Sequence, residues 1–283
     1  MEREWPLPPD DIQLWACRDE CIVAADLLAE YSAALSDSER QRMAQFHFAR
    51  HRHQYLVTRA LVRHVLSMYR PDVAAHQWRF AYNDHGKPRI DPLLDPSQSL
   101  HFNVSHTDGL IVMAVSRQAI GIDVEDLLRG GDSVSVADTF FAPAERQDLQ
   151  QCGAGKRAQR FFELWTLKEA YIKARGEGLA VPLDSFVFRL GQCTEHSIRF
   201  IPPTNDPRHW QFWSTRLLGR YCLAIAACRE TAGAGFCLRV QEIIPRVRSF
   251  DMPCLCWRQD APDIRTLPWK LPRIAAMPEI VFA

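Results

Sequence analysis

One stretch of the chain spaces a tryptophan, a glutamate and a lysine four residues apart. Trp165, Glu169 and Lys173 share one face of a helix if residues 161 to 179 are helical. Apolar residues recur at helical spacing on another face, which is expected to pack on a core. These apolar residues are Phe161, Leu164, Leu167, Tyr171 and Ala174. Alone, the Glu–Lys pair is typical of an ordinary surface helix.

A second stretch places two carboxylates close together at Gly121-Ile-Asp123-Val-Glu125. In a strand over residues 120 to 125, Asp123 and Glu125 point to the same side. Two neighbouring carboxylates repel each other unless a cation lies between them. Carboxylate oxygens suit Mg²⁺, with phosphate oxygens and water completing its shell. The pattern indicates a magnesium site, and a pair of solvated acids at a strand end is the alternative.

The third stretch is strongly basic, because no acidic residue occurs between Arg40 and Pro71. It holds seven arginines and four histidines, and Arg59 and Arg63 lie on one helical face. Cations without nearby acids repel one another, and arginine clusters bind phosphates. We therefore expect an anionic, nucleotide-like ligand here, although a solvated basic face fits the same residues.

The elements that position these residues occur twice, with an offset of about 106 to 111 residues. The echoed segments are 35–41 with 141–147, 58–63 with 168–173, the strand around Trp78 with 186–190, and 110–116 with 221–227. A repeat this long predicts an α+β fold of two pseudo-duplicated α/β halves, with a site at their interface.

We expect the halves to span residues 1–117 and 118–230, followed by a C-terminal extension over residues 231–283. The first half would bind phosphates and the second would carry the acids. Within the first half, residues 100–104 are predicted to form a short strand and residues 105–109 a loop.

Composition excludes several classes of protein. The formal net charge is zero, so no overall field favours nucleic acid or a membrane surface. No apolar run reaches about eighteen residues, and the first ten residues lack the apolar core of a signal peptide. A P-loop, a dinucleotide-binding fingerprint and a Gly-x-Ser-x-Gly elbow are all missing. We expect a cytoplasmic monomer with reduced cysteines.

Taken together, the motifs resemble those of the 4'-phosphopantetheinyl transferases of the Sfp, or surfactin-synthetase-activating, type. The matching segments are 86–88, 102–106, 121–125, 165–173 and 176–179, in the order and spacing of that family. The resemblance covers residues 12 to 230. It implies the duplicated fold and a Mg²⁺-dependent enzyme that transfers 4'-phosphopantetheine from coenzyme A to a serine of an apo acyl or peptidyl carrier protein, releasing adenosine 3',5'-bisphosphate.

The resemblance also implies roles for the acidic and basic residues. Asp123, Glu125 and Glu169 would hold Mg²⁺ against the pyrophosphate of coenzyme A. Glu169 would also take the proton from the carrier serine, and Lys173 would stabilise charge on the transferred phosphate. Glu145 would assist the base or complete the magnesium shell, and Trp165 would form a wall of the site.

Further residues would contact coenzyme A itself. The expected contacts are Lys87 and Pro88 at the adenine end, Ser105 and His106 at the phosphates, and Arg42 with Arg59 near the 3'-phosphate. Tyr55 stands where some members of the family have a small hydroxyl residue, so the sequence departs from the family pattern at that contact.

Three alternatives fit parts of this pattern. A Mg²⁺-dependent phosphodiesterase would use the same residues to hydrolyse coenzyme A or a related nucleotide. A non-catalytic homologue would bind carrier proteins only, although the complete set of Asp123, Glu125, Glu169 and Lys173 argues against a decayed site. A nucleic-acid-binding module would use the basic helix, but neutral overall charge weakens that interpretation.

Overall fold

Each half of the chain contains one strand, then three α-helices, then two β-hairpins, in the same order. The computed structural model describes residues 7–129, 133–191, 197–204, 206–229, 235–251 and 258–259. The first half consists of β1 (Asp11–Cys17), α1 (Ala25–Ala34), α2 (Asp37–Ala44), α3 (Ala49–Tyr69), β2 (Phe80–Tyr82), β3 (Pro88–Ile90), β4 (His101–Thr107) and β5 (Leu110–Ser116). The second half consists of β6 (Ile120–Asp126), α4 (Ser133–Phe140), α5 (Pro143–Gln151), α6 (Ala154–Arg175), β7 (Val187–Leu190), β8 (Ile198–Ile201), β9 (His209–Leu217) and β10 (Tyr221–Arg229).

The two halves also pair their strands in the same way. The first sheet contains the order β1-β5-β4 and the second contains β6-β10-β9, all antiparallel. The strand–helix–hairpin order and this pairing confirm the predicted duplication and the α+β class. Because the equivalent strands are offset by a nearly constant number of residues, the sequence repeat follows the three-dimensional one.

Part of the predicted C-terminal extension completes the two sheets. The strands concerned are β11 (Cys237–Ile244), β12 (Arg248–Asp251) and β13 (Arg258–Gln259). β11 runs parallel to β1 and carries β12 on its other edge, while β13 pairs with β9. The extension therefore contacts both halves. Its residues 231–234, 252–257 and 260–283 lie outside the described residues.

Apolar side chains alternate between the two faces of each sheet. In β1, Trp15 and Cys17 join the core beneath α3, while Ile12 and Leu14 join a cluster shared with β6 and β10. The second sheet packs its opposite face on α6. The sheets therefore meet through a common apolar layer, and the long helices cover their outer faces. No helix in the described ranges is long and apolar enough to cross a membrane.

The loop predicted over residues 105–109 is wrong for its first part. Ser105, His106 and Thr107 belong to β4, because the ladder to β5 continues as far as the pair of Thr107 and Leu110. Gly109 adopts a φ of +80° and allows the chain to reverse within two residues. Strand alternation therefore decides where Ser105 and His106 point.

Candidate active site

The site begins with a very close approach of β6 to α6. A Cβ atom added at Gly121 would lie 2.0 Å from the Ala170 carbonyl oxygen and 2.3 Å from the Ala174 nitrogen. Only glycine leaves room for the helix backbone at this distance. The packing brings the carboxylates of β6 alongside the polar face of α6.

A cleft of about 350 Å³ opens at this junction. It is lined by Val104, Ser105 and His106 of β4, Asp123 and Glu125 of β6, and Trp165, Glu169 and Lys173 of α6. The lining comes from both halves, at their interface. The three α6 residues are half-buried on a helix whose intervening residues from 166 to 172 are otherwise buried. Trp165 stacks on Phe161, with ring centroids 5.9 Å apart, and forms one wall.

Asp123 is the most enclosed of the three carboxylates, with a relative exposure of 4%. Its Oδ1 accepts hydrogen bonds from Lys173 Nζ at 2.5 Å and from Ser105 Oγ at 2.9 Å. Lys173 Nζ also donates to Ser105 Oγ at 3.1 Å. The Asp123 Oδ2 atom is buried and has no hydrogen-bond partner within the described ranges. One side of this carboxylate is thus held by protein donors, and the other lacks one.

The neighbouring carboxyls hold their protons more tightly than free ones. Burial, followed by the charge of Asp123, raises the pKa of Glu125 to about 7. The same two causes raise the pKa of Glu169. Both shifts show that negative charge is crowded in a poorly hydrated cleft. Such an environment favours proton uptake by Glu169 and favours a cation near Glu125.

The donor set fits a hard divalent cation. Carboxylate oxygens are the usual ligands of Mg²⁺, and Asp123 Oδ2 is an orphaned buried oxygen beside two further carboxylates. Within the described ranges, no three potential ligands already converge as closely as a preformed metal site requires. Lys173 supplies the positive charge next to Asp123 in this arrangement.

Four of the predicted coenzyme A contacts lie away from this cleft lining. Arg42 is exposed at the end of α2, where it donates to Gln45 Oε1 at 3.0 Å. Pro88 lies in β3 and pairs with Tyr82. Arg59 donates to Glu39 and Lys87 donates to the Ala174 carbonyl, so both charged groups are used within the protein. Ser105 and His106 do line the cleft, but the Ser105 hydroxyl is committed to Asp123. The binding roles of all six stay predictions.

The interpretation of the basic helix as a face without counter-charge is wrong. Glu39 lies one residue before the acid-free stretch and reaches α3 from the start of α2. It accepts from Arg59 Nε at 2.6 Å and from Arg63 Nη2 at 2.6 Å. Burial raises the pKa of Glu39, but the charges of Arg59 and Arg63 outweigh it and leave that pKa below its usual range. Ser36 and Glu39 form a capping box at the start of α2, and this contact fixes the direction of the Glu39 side chain. The spacing of Ser36 and Glu39 in the sequence is the signal of that capping box.

The role suggested for Glu145 is also contradicted. Its side chain is fully buried and pairs with Lys168 Nζ at 2.8 Å. It also accepts from the backbone nitrogens of Ala142, at 3.1 Å, and Phe188, at 2.8 Å. These contacts tie α5 to α6 and β7, and Glu145 is not part of the cleft lining. It can neither assist the base nor complete a magnesium shell from there.

Comparison with known proteins agrees with this arrangement. Two family models match in succession: the 4'-phosphopantetheinyl transferase N-terminal family over residues 24–118 and the 4'-phosphopantetheinyl transferase superfamily over residues 119–226. A 4'-phosphopantetheinyl transferase of Bacillus subtilis is 36% identical over 176 residues, which cover 62% of this chain and 75% of the relative. The 4'-phosphopantetheinyl transferase HetI of Nostoc sp. is 35% identical over 188 residues, which cover 64% of this chain and 78% of the relative. The 4'-phosphopantetheinyl transferase Sfp of Bacillus subtilis strain 168 is 34% identical over 178 residues, or 62% and 75% of the two chains.

Proposed function

The chain belongs to the 4'-phosphopantetheinyl transferase superfamily, and we propose that it carries out its reaction in the cleft between its two halves. The enzyme transfers the 4'-phosphopantetheine group of coenzyme A to a serine of an apo acyl or peptidyl carrier protein. The observation that carries the assignment to this cleft is the convergence of Asp123, Glu125, Glu169 and Lys173 at the interface. The partners are thus coenzyme A and a carrier protein.

The reaction forms one phosphorus–oxygen bond and breaks another. The serine oxygen attacks the phosphorus that bears the pantetheine arm, and the bond from that phosphorus to the oxygen of the adjacent phosphate breaks. Adenosine 3',5'-bisphosphate leaves with the electron pair. The serine proton must go to a base, because a neutral hydroxyl is a weak nucleophile. Glu169 supports this role because it is half-buried, lines the cleft and has a raised pKa.

Lys173 and Trp165 would act on either side of this base. Lys173 places an ammonium in the cleft, where positive charge stabilises the oxygens that gain charge during transfer. Trp165 presents a flat ring that excludes water from one wall. Exclusion of water favours transfer to serine over hydrolysis, which distinguishes this reaction from that of a phosphodiesterase.

Asp123, Glu125 and Glu169 are the residues that would hold Mg²⁺. When bound, the ion supplies positive charge to the pyrophosphate oxygens. The chain's own contribution is to hold Asp123 in place through Ser105 and Lys173 while its second oxygen stays available. We also propose that the protein acts as a monomer, since the duplicated halves already form the interface that contains the site. Its proposed location is the cytoplasm.

The test is mass spectrometry of apo carrier proteins incubated with the protein, coenzyme A and Mg²⁺. Transfer adds one phosphopantetheine arm to the carrier, whereas hydrolysis releases free phosphopantetheine and leaves the carrier unchanged. Asp123→Ala and Glu169→Gln are expected to lower the rate by about 10²-fold or more.

The matched control is Glu30→Gln, since Glu30 is a surface carboxylate that pairs only with Arg246 among the ion pairs seen. This variant should keep the rate of the unmodified protein. Near-normal transfer by Asp123→Ala or Glu169→Gln would overturn the assignment of this cleft.

A further inference from the structure

Lys87 follows Gly86 in the turn between β2 and β3, and its side chain crosses the interface between the halves. Its Nζ donates to the Ala174 carbonyl at 2.9 Å and to the Ile120 carbonyl at 3.2 Å. Ala174 lies in the last turn of α6, and Ile120 is the first residue of β6. One ammonium therefore joins the helix that carries Glu169 to the strand that carries Asp123.

The path of the Lys87 side chain depends on the end of α6. Gly176 ends this helix in the left-handed region, with a φ of +72°. A Cβ atom at Gly176 would lie 2.9 Å from Lys87 Cδ, so glycine also leaves space for the lysine stem. Asn83 Nδ2, from the same turn, donates to the Gly176 carbonyl at 2.6 Å. Asn83 and Lys87 thus bind the turn to the C-terminal end of α6 at two points.

The ammonium itself is committed to these carbonyls. Burial lowers the pKa of Lys87 to about 8. Within the described ranges, Lys87 has no carboxylate at ion-pair distance, so the two carbonyl bonds are its compensation for lost hydration. A group held in this way does not extend into the cleft, and Lys87 is not part of the cleft lining.

Further along the interface, side chains of β4 contact the edge of β6 that no described strand of its own sheet pairs with. Asn103 Oδ1 accepts from the Ile122 nitrogen at 2.8 Å, and Ser105 Oγ accepts from the Val124 nitrogen at 3.4 Å. These bonds fix β6 relative to the first half, but they do not reach α6. Lys87 donates to both β6 and α6, and does so at the backbone, in addition to the side-chain ion pair of Lys173 with Asp123.

We propose that Lys87 is a positioning residue, which fixes β6 against α6 and so sets the distance between Asp123 and the Glu169–Lys173 face. This inference rests on the proposed function and replaces the expected side-chain contact of Lys87 with the adenine end of coenzyme A. The two roles differ in what they predict. A positioning role affects turnover and metal binding, whereas an adenine contact affects binding of the nucleotide.

The test compares Lys87→Met with the unmodified protein. Methionine keeps an unbranched, flexible stem and removes the donors. We expect kcat to fall by about 10- to 100-fold and the Kd for Mg²⁺, measured by isothermal titration, to rise by about 10-fold or more. The Kd for adenosine 3',5'-bisphosphate, measured without metal, should change by less than about 3-fold. Arg89→Met removes an exposed cation two residues away in β3 and should leave all three values unchanged.

Hydrogen exchange provides a readout that needs no turnover. Amides of Ile122 and Gly176 should exchange about 10-fold faster in Lys87→Met, because opening of β6 and of the α6 end costs less free energy. If Lys87→Met does not fold, Lys87→Gln, which reaches one carbonyl at most, should show the same pattern more weakly. Lys87→Arg, which retains donors, should recover part of kcat and of Mg²⁺ affinity.

The opposite pattern would overturn the inference: a 10-fold rise in the Kd for adenosine 3',5'-bisphosphate, with unchanged kcat, Mg²⁺ affinity and exchange. Failure of the proposed function would look different. In that case the unmodified protein would not modify carrier proteins, while the exchange and metal measurements on Lys87→Met would still decide its positioning role.

Discussion

Substitution of Gly121 by alanine should separate β6 from α6 and disable the cleft. The new Cβ would lie 2.0 Å from the Ala170 carbonyl oxygen. Ordinary contact requires about 3.5 Å, so strand and helix must move apart by roughly 1 to 1.5 Å. Both obstacles are backbone atoms of a packed helix and cannot swing aside as a flexible side chain can. We expect the free energy of unfolding to fall by about 3 kcal/mol or more.

The transfer rate of Gly121→Ala should fall further than the loss of folded protein alone explains. A displacement of about 1 Å between reacting groups is enough to lower a rate by about 10²-fold. In Gly121→Ala the shift separates Asp123 from Glu169. The molecules of the variant that remain folded should therefore transfer about 10²-fold more slowly than the unmodified protein. Urea unfolding gives the stability, and carrier modification by mass spectrometry, normalised to folded protein, gives the rate.

The matched control for this prediction is Gly155→Ala in α6, the helix on which Gly121 packs. Nothing lies within 4 Å of a Cβ atom added there. Alanine favours helix more than glycine does, so stability should stay equal or rise by up to about 1 kcal/mol, with unchanged activity. Unfolding of Gly121→Ala at the same urea concentration as the unmodified protein, with an unchanged transfer rate, would show that β6 and α6 do not need this close approach.

Two further predictions concern charge. Glu39→Gln leaves Arg63, which is 1% exposed, without its carboxylate, and urea unfolding should show a loss of about 3 kcal/mol. In the metal-free protein, Glu125 has a folded pKa of about 7, above its ordinary value of 4.5. The folded state then binds more protons than the unfolded state between these values, so stability should fall as the pH rises from about 4.5 to 7, by about 1 to 2 kcal/mol after allowance for solvent screening.

Each charge prediction has a control within the chain. Asp37→Asn removes an exposed partner of Arg40 in the same helix as Glu39, and should cost less than about 1 kcal/mol. A loss of similar size in both variants would contradict the buried role of Glu39. For the pH effect, Glu125→Gln cannot titrate at this position, so its unfolding free energy should vary less over the same interval. An equal slope in both proteins would assign the effect to other groups.

Sequence patterns predicted the parts of this fold that depend on periodicity. The apolar spacing in residues 161–179, the duplicated order of elements and the carboxylates of β6 each depend on local repetition, which the chain displays directly. The sequence also predicted that Glu169, Lys173 and Trp165 share one face, because helical geometry places residues four apart on the same side. The convergence of that face with β6 was expected from the family resemblance, since β6 and α6 lie in the same half and the repeat does not bring them together.

The partners of individual charges could not be predicted in the same way. Whether Arg59 contacts a phosphate or Glu39 depends on how α2 packs on α3, and Glu39 lies outside the basic stretch that contains Arg59. Lys87 lies in a turn, and its partners are backbone carbonyls about 33 and 87 residues away. Backbone carbonyls carry no residue-type signal, so a contact of this kind is invisible until the halves are assembled.

The duplication explains why only one of the two long helices carries the acidic and basic cleft face. Glu39 and Glu145 occupy equivalent places at the starts of α2 and α5, and each pairs with a cation on the following long helix. In the first half Glu39 pairs with Arg59 and Arg63, which correspond to Glu169 and Lys173 in the repeat.

In the second half Glu145 pairs instead with Lys168, one residue earlier than the equivalent of Arg59. One residue turns a helix by about 100°, so the structural ion pair moves to a different face. The positions of Glu169 and Lys173 are thereby released from the packing of α5 and face the interface, where Asp123 lies. The buried ion pair of the second half thus involves the neighbouring residue, and the carboxylate of Glu169 occupies a place that the first half fills with a structural arginine.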